Sequence, residues 1–84
     1  MKIKDGFLMQ DVAGSTVILP MVGDLDRMIT LNDTGKFLWE QLEKETTAQA
    51  LADALLQEYD VDPATAALAV EQFVARLKEH GFLA

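Results

Sequence analysis

Hydrophobic and polar residues alternate in short runs before Leu31, whereas after it they repeat every three or four residues. The first pattern is typical of strands and the second of helices. A first strand is predicted over Phe7–Val12, and a small-residue turn at residues 13–15 can close a hairpin onto residues 16–19. Pro20 is expected to end the second strand, since proline has no N–H to donate. These features predict an N-terminal β-hairpin.

A third strand is predicted over residues 27–31, after a loop that contains Gly23. A period of two places Ile29 and Leu31 on one face and Met28 and Thr30 on the other. The strand is short, and Arg27 adds a charge at its start, which limits uncontrolled pairing with other strands.

Three helices follow, and each begins with a recognisable capping residue. Asn32 caps a helix over residues 33–44, and Thr47 caps a second helix over residues 48–58. Asp62 and the proline after it start a third helix, because a proline at the first helical position loses no needed hydrogen bond. This helix reaches residue 80, and Gly81 ends it. Gly35 costs ~1 kcal/mol relative to alanine in the first helix, so we expect a close backbone approach there.

The third helix carries an apolar stripe that is expected to face the core. Its predicted inward residues are Ala66 or Ala67, Val70, Phe73, Val74 and Leu77. The order of elements predicts an α+β fold in one domain of 84 residues, with a three-stranded antiparallel sheet followed by three helices.

The composition excludes several classes of function. Fourteen acidic residues against seven basic ones give a net charge of −7, which disfavours nucleic acid and anionic membranes as partners. The chain has no cysteine, which excludes disulfides, thiolate zinc sites and iron–sulfur clusters and fits a reducing, cytoplasmic compartment. No apolar run is long enough to span a bilayer, and the first residues lack the apolar core of a signal peptide.

The sequence offers no convincing catalytic constellation. The single histidine, His80, precedes the glycine that ends the third helix, where a cation complements the helix dipole. Asp60, Asp62 and Glu71 match three positions of a calcium-binding loop, but Thr65 stands where that loop needs glycine. We therefore expect neither an enzyme nor a bound metal or cofactor.

Three motifs occur in a fixed order along the last two-thirds of the chain. They are T-L-N-x-T-G-x-x-L-W from Thr30 to Trp39, E-Y-D-V-D from Glu58 to Asp62, and L-x-x-x-G-[FL]-L from Leu77 to Leu83. Together they resemble the PqqD-like family, also called precursor-peptide recognition elements. The T-L-N-x-T-G motif is more similar to members outside the branch that serves pyrroloquinoline quinone synthesis.

This resemblance implies a fold and a function. Members of the family are winged helix-turn-helix-like domains without catalysis of their own. They bind the leader segment of a ribosomally made precursor peptide and present it to a modifying enzyme, often a radical S-adenosylmethionine enzyme. The leader is added as a strand beside the third strand, in the groove between that strand and the third helix.

The resemblance also implies a set of binding residues. On the strand side these are Arg27, Met28, Ile29, Thr30 and Leu31. On the helix side either margin of the apolar stripe can line the groove. The predicted margin consists of Ala67, Glu71, Val74 and Lys78, and the alternative margin carries Phe73 and Arg76.

Two alternatives remain open at this point. The free strand edge and the apolar hairpin could instead mediate homodimerisation, which would make the chain an assembly domain. A DNA-binding function, suggested by the winged-helix likeness, is disfavoured because the third helix carries only Arg76 and Lys78 against Glu71 and Glu79.

Overall fold

Three strands and three helices follow one another in the structure, a computed structural model that describes residues 1–21 and 28–84. The elements are β1 (Phe7–Val12), β2 (Ser15–Pro20), β3 (Ile29–Leu31), α1 (Asp33–Gln41), α2 (Ala48–Glu58) and α3 (Pro63–His80). The strands form one antiparallel sheet in the order β1-β2-β3. The predicted fold class and order of elements are confirmed.

The hairpin between β1 and β2 turns on two residues with positive φ, Ala13 at 51° and Gly14 at 83°. Positive φ at both central residues is the requirement of a type I′ turn, whose twist matches that of the flanking strands. The second strand includes Pro20, so it is longer at its end than predicted. Pairing continues beyond this proline, because the Met21 N–H donates to the Gly6 carbonyl at 2.8 Å.

The third strand is shorter than the predicted run over residues 27–31. It contains only Ile29–Leu31, and Met28 precedes it as an exposed residue outside the ladder. Arg27 lies outside the residues that the structure describes. Because the strand order is β1-β2-β3, β3 lies at an edge of the sheet.

Helix α1 ends at Gln41, three residues before the predicted end. The carbonyl of Leu42 accepts the N–H of Ile3 at 2.9 Å, and the chain then turns towards α2. If the helix continued, this carbonyl would accept the Thr46 N–H, which donates instead to the carbonyl of the N-terminal residue at 2.9 Å. The predicted N-caps of α2 and α3 are confirmed, and Gly81 has the left-handed φ of 76° expected of a helix end.

One hydrophobic cluster joins the sheet, the helices and both chain ends. Ala66 rather than Ala67 is the buried alanine of α3. Phe82 is fully buried, and its carbonyl accepts the N–H of Lys4 at 2.8 Å. Trp39 is only 3% exposed and packs edge-on against Phe82, with 5.7 Å between ring centroids. Trp39 therefore has a packing role.

None of the helices within the described residues combines the length and the apolar character that crossing a bilayer requires.

Candidate functional site

The backbone of Thr30 faces the open edge of the sheet. The Met21 N–H donates to the Gly6 carbonyl directly beyond the ends of β1 and β2, so these two residues form a bonded pair, and bonded pairs alternate along an antiparallel ladder. Odd-numbered residues of β2 therefore bond to β1, and even-numbered residues bond to β3. Ile29 and Leu31 lie opposite even-numbered residues of β2, whose backbone groups bond to β3. Thr30 lies opposite Val17, whose backbone groups bond to β1 instead. The N–H and C=O of Thr30 thus face away from the sheet.

Helix α3 reaches this edge through one side chain. The Arg76 Nη2 donates to the Thr30 carbonyl over 3.3 Å, and both residues are exposed. Among the described residues, no acceptor bonds the Thr30 N–H. One backbone donor of the edge is thus open, and the neighbouring acceptor is covered by a surface arginine.

Between the edge and α3 lies a groove, which we call the β3–α3 groove. Its floor is apolar, because Leu31, Leu38 and Phe73 are buried residues of the core. Its other lining residues are mostly small or polar: Thr30, Asn32, Thr34, Gly35, Ala69, Gln72 and Arg76. The site therefore combines an apolar floor with polar walls and a free strand edge.

Gly35 holds the first turn of α1 close to β3. A Cβ atom at this position would lie 3.2 Å from Asn32 Oδ1 and 3.4 Å from the Leu31 side chain. The Gly35 N–H donates to that same Asn32 Oδ1 at 2.8 Å, which caps the helix. The close approach expected from the sequence is confirmed, and it forms one wall of the β3–α3 groove.

Arg76 is the one charged residue among those lining the β3–α3 groove. Within residues 1–21 and 28–84, no carboxylate forms an ion pair with it. The groove therefore has a local positive charge in a chain of net charge −7.

Lys36, by contrast, is paired: its Nζ lies 3.5 Å from Asp11 Oδ2. The Thr16 hydroxyl, which donates to Asp11, and then the Lys36 ammonium hold the pKa of the Asp11 carboxyl below its usual range.

The predicted helix margin lies on the opposite side of α3. Ala67, Glu71, Val74 and Lys78 line a second groove, the α2–α3 groove, together with Ala48, Gln49, Ala52, Val70 and Ala75. The structure thus separates these four residues from the strand residues Ile29, Thr30 and Leu31. The alternative margin, with Phe73 and Arg76, is the one beside β3.

Several lining residues had no functional signal in the sequence. Asn32 and Thr34 belong to a helix start and to the T-L-N-x-T-G motif, neither of which indicated a binding role, and Ala69 and Gln72 have no distinguishing pattern. Their shared feature is their position around β3, which follows from the tertiary fold. In the part of the chain that the structure describes, no three Asp, Glu or His side chains are grouped so that they could hold a metal ion.

Known proteins share both sequence and fold with this chain. A family model described as "Coenzyme PQQ synthesis protein D (PqqD)" matches residues 15–83, from the start of β2 to the C-terminal segment. The solved structure "TbiB1 in Complex with the TbiA(beta) Leader Peptide" is 26% identical, with a TM-score of 0.79 over 99% of this chain and 94% of that chain. "Lasso peptide synthetase B1 complexed with the leader peptide" is 23% identical, with a TM-score of 0.75 over 96% and 93%. No curated protein matches the chain.

Proposed function

The chain belongs to the PqqD family, and we propose that it is a peptide-binding module for the leader segment of a ribosomally made precursor peptide. The leader binds as a fourth strand beside β3, and the module presents the bound peptide to a modifying enzyme. TbiB1, which shares 26% of its residues and the fold, is described in complex with a leader peptide, and this supports the proposal.

The outward backbone of Thr30 is the observation that carries the proposal. A strand added at about 4.7–4.9 Å from β3 would bond to this N–H and C=O, because strand addition uses the unpaired groups of an edge. Main-chain bonds of this kind supply affinity for an extended peptide. The apolar floor of the β3–α3 groove would then take alternate side chains of that peptide.

The geometry favours a specific set of binding residues. On the strand side we propose Thr30 and its neighbours from Met28 to Leu31, and Arg27 stays a prediction. On the helix side we propose the margin beside β3, which consists of Ala69, Gln72, Phe73 and Arg76. This set replaces the margin of Ala67, Glu71, Val74 and Lys78, which faces α2.

The proposed role is binding without catalysis, and it requires no cofactor. Precursor peptides are made on ribosomes, so we place the module in the cytoplasm, beside its peptide and its enzyme. The class of that enzyme, for which the family resemblance suggests a radical S-adenosylmethionine enzyme, stays a prediction. Nucleic acid is not a proposed partner, since α3 offers only Arg76 and Lys78 as cations in a chain of net charge −7.

Amide chemical shifts of the ¹⁵N-labelled chain, titrated with synthetic leader segments of short peptides encoded beside its gene, test the proposal. Saturable shifts are expected in Ile29–Leu31 and around Gln72 and Arg76, with little change at Glu71 and Lys78. Shifts confined to the α2–α3 groove would contradict the strand-addition mechanism. A lack of binding to every neighbouring peptide by the folded protein would contradict the function.

Homodimerisation is the second candidate function, and the outer face of the sheet favours it. Leu8 is 42% exposed and Val12 is 53% exposed, although both are apolar strand residues. If this face pairs two copies, sedimentation equilibrium will show a mass that increases with protein concentration. A monomer at all concentrations that still binds leader peptide would exclude assembly as the main function.

A further inference from the structure

We propose that Arg76 is a specificity-determining residue that selects leader peptides with an acidic side chain beside the strand-addition edge. This inference rests on the proposed function and specifies the chemical class of peptide that the module binds. Backbone pairing alone would accept many sequences, so selectivity has to come from side chains that line the groove.

Arg76 already lies where a bound peptide would lie. Its guanidinium donates to the Thr30 carbonyl, which is the acceptor that an added strand would use. At 3.3 Å between two exposed groups, this bond is long and weak. An arriving strand can therefore take its place and leave the guanidinium in contact with the peptide.

A displaced guanidinium needs a new acceptor. It carries five N–H donors in a planar fork, and a carboxylate accepts two of them in parallel. None of the residues that line the β3–α3 groove is acidic, and within the described ranges no carboxylate forms an ion pair with Arg76. An acidic side chain of the bound peptide would supply such an acceptor.

The local charge of the groove is opposite to the charge of the whole chain. A net charge of −7 attracts basic peptides in general, whereas Arg76 is the one charged side chain that lines the groove. A preference for acidic residues in bound peptides would therefore contradict the long-range field. Among the residues that line the groove, Arg76 is the cation that can produce it.

A display library of linear peptides, each about 12 residues long and fused to its carrier through the C-terminus, provides the probe. Fusion removes the free terminal carboxylate, so an acidic signal can come only from Asp or Glu side chains. Selection is carried out on the wild-type chain, on Arg76→Glu and on Lys78→Glu. Lys78 is the matched control, because it is an exposed cation of the same helix that lines the α2–α3 groove.

In peptides selected by the wild type, we expect Asp and Glu to be enriched about fivefold at one position. That position should lie at a fixed spacing from the apolar residues of the peptide. Arg76→Glu should reverse this preference towards Lys and Arg, and Lys78→Glu should leave it unchanged. An acidic preference that persists in Arg76→Glu would overturn the inference. If that variant does not fold, Arg76→Gln serves instead, with loss of the preference as the expected result.

The failure of this inference can be separated from the failure of the proposed function. Selected peptides that shift the amides of Ile29–Leu31 but show no acidic preference would overturn the role of Arg76 alone. Selected peptides that leave those amides unchanged, or the absence of any selected peptide, would overturn strand addition and this inference together.

Discussion

Helix α3 has a groove on each side, and the two grooves differ in what their walls offer. The β3–α3 groove has a strand edge as one wall, with the outward N–H of Thr30 and the cation of Arg76. The α2–α3 groove has a helix on each side, and it is lined by four alanines and two valines together with Gln49, Glu71 and Lys78. Apolar surface is present in both grooves, but of the two only the β3–α3 groove has a strand edge as a wall.

This difference determines what each groove can bind. Most backbone groups of a helix are bonded to one another, so the α2–α3 groove offers a ligand mainly side chains, and it has no strand edge with which an extended peptide could pair. The edge at β3 offers a donor and an acceptor that fit the backbone of an extended peptide of almost any sequence. The β3–α3 groove can therefore combine affinity through strand pairing with selectivity through side chains.

Thr30→Pro should have the largest effect, because it removes the outward N–H from the edge. We expect leader-peptide affinity to fall about tenfold or more, since one main-chain bond is lost and the added ring crowds the incoming strand. Isothermal titration calorimetry with the leader segment measures the change. Ile29→Pro is a poorer choice, because the Ile29 N–H faces β2 and its loss would disturb the sheet itself.

Thr30→Ala is the matched control, because it changes the side chain and keeps the N–H. It should bind within about twofold of the wild type, since the Thr30 side chain is exposed. Equal affinities for the proline and alanine variants, with both proteins folded, would show that the peptide does not use the Thr30 N–H.

Blocking each groove with one tryptophan compares the two sides directly. Gln72 and Ala75 are both exposed residues of α3, and they line the β3–α3 groove and the α2–α3 groove respectively. Gln72→Trp should lower the affinity about tenfold, because the indole occupies space that the added strand needs next to β3. Ala75→Trp should change it by less than about twofold, as measured by the same titration.

The opposite result, with Ala75→Trp blocking binding and Gln72→Trp tolerated, would move the site to the α2–α3 groove. It would then support the margin of Glu71 and Lys78 that the sequence predicts. Thermal unfolding of both variants separates a block of the groove from a loss of fold.

Local signals predicted most of the fold. The positive-φ turn at Ala13 and Gly14 and the cap at Asp62 depend on neighbouring residues, so the sequence contains their causes. The predicted end of α1 was wrong, and the residues after the observed end bond to a distant part of the chain: the Ile3 N–H donates to the Leu42 carbonyl, and the Thr46 N–H donates to the Met1 carbonyl. No local pattern encodes that pairing.

The helix side of the site was not predictable from periodicity for a similar reason. Phe73 and Val74 are both 9% exposed, so the apolar stripe of α3 is equally buried at its two margins. A helical period defines which face is inward, but it does not define which margin lies beside a given strand. The bond from Arg76 to the Thr30 carbonyl is the tertiary fact that decides this.

The N-cap of α3 stabilises the helix that lines both grooves. Loss of this cap should therefore affect the two grooves equally. The Asp62 carboxylate accepts the Thr65 N–H at 2.8 Å. Asp62→Ala should lower Tm by about 5 °C at pH 7, because the first turn of α3 loses its cap. The affinity ratio between the Gln72→Trp and Ala75→Trp variants should be unchanged in this background, because both positions lie well beyond the first turn of the helix.

The same variant should show a defined pH dependence. Hydrogen bonds from the Thr65 side chain and then from its backbone N–H hold the pKa of the Asp62 carboxyl below its usual range. A lowered pKa in the folded state means that this stabilisation is present above the ordinary pKa and is lost as the pH falls through the folded-state value. The difference in Tm between wild type and Asp62→Ala should therefore shrink below about pH 4.

An uncharged cap separates the charge of the Asp62 side chain from its capping oxygen. The Asp62→Asn variant keeps an oxygen that can accept the Thr65 N–H but has no carboxyl group to titrate, so its Tm difference from Asp62→Ala should stay constant as the pH falls. Thermal unfolding of the three proteins over the same pH range measures both differences. A gap between wild type and Asp62→Ala that does not change with pH would mean that the charge of Asp62 contributes nothing to the cap.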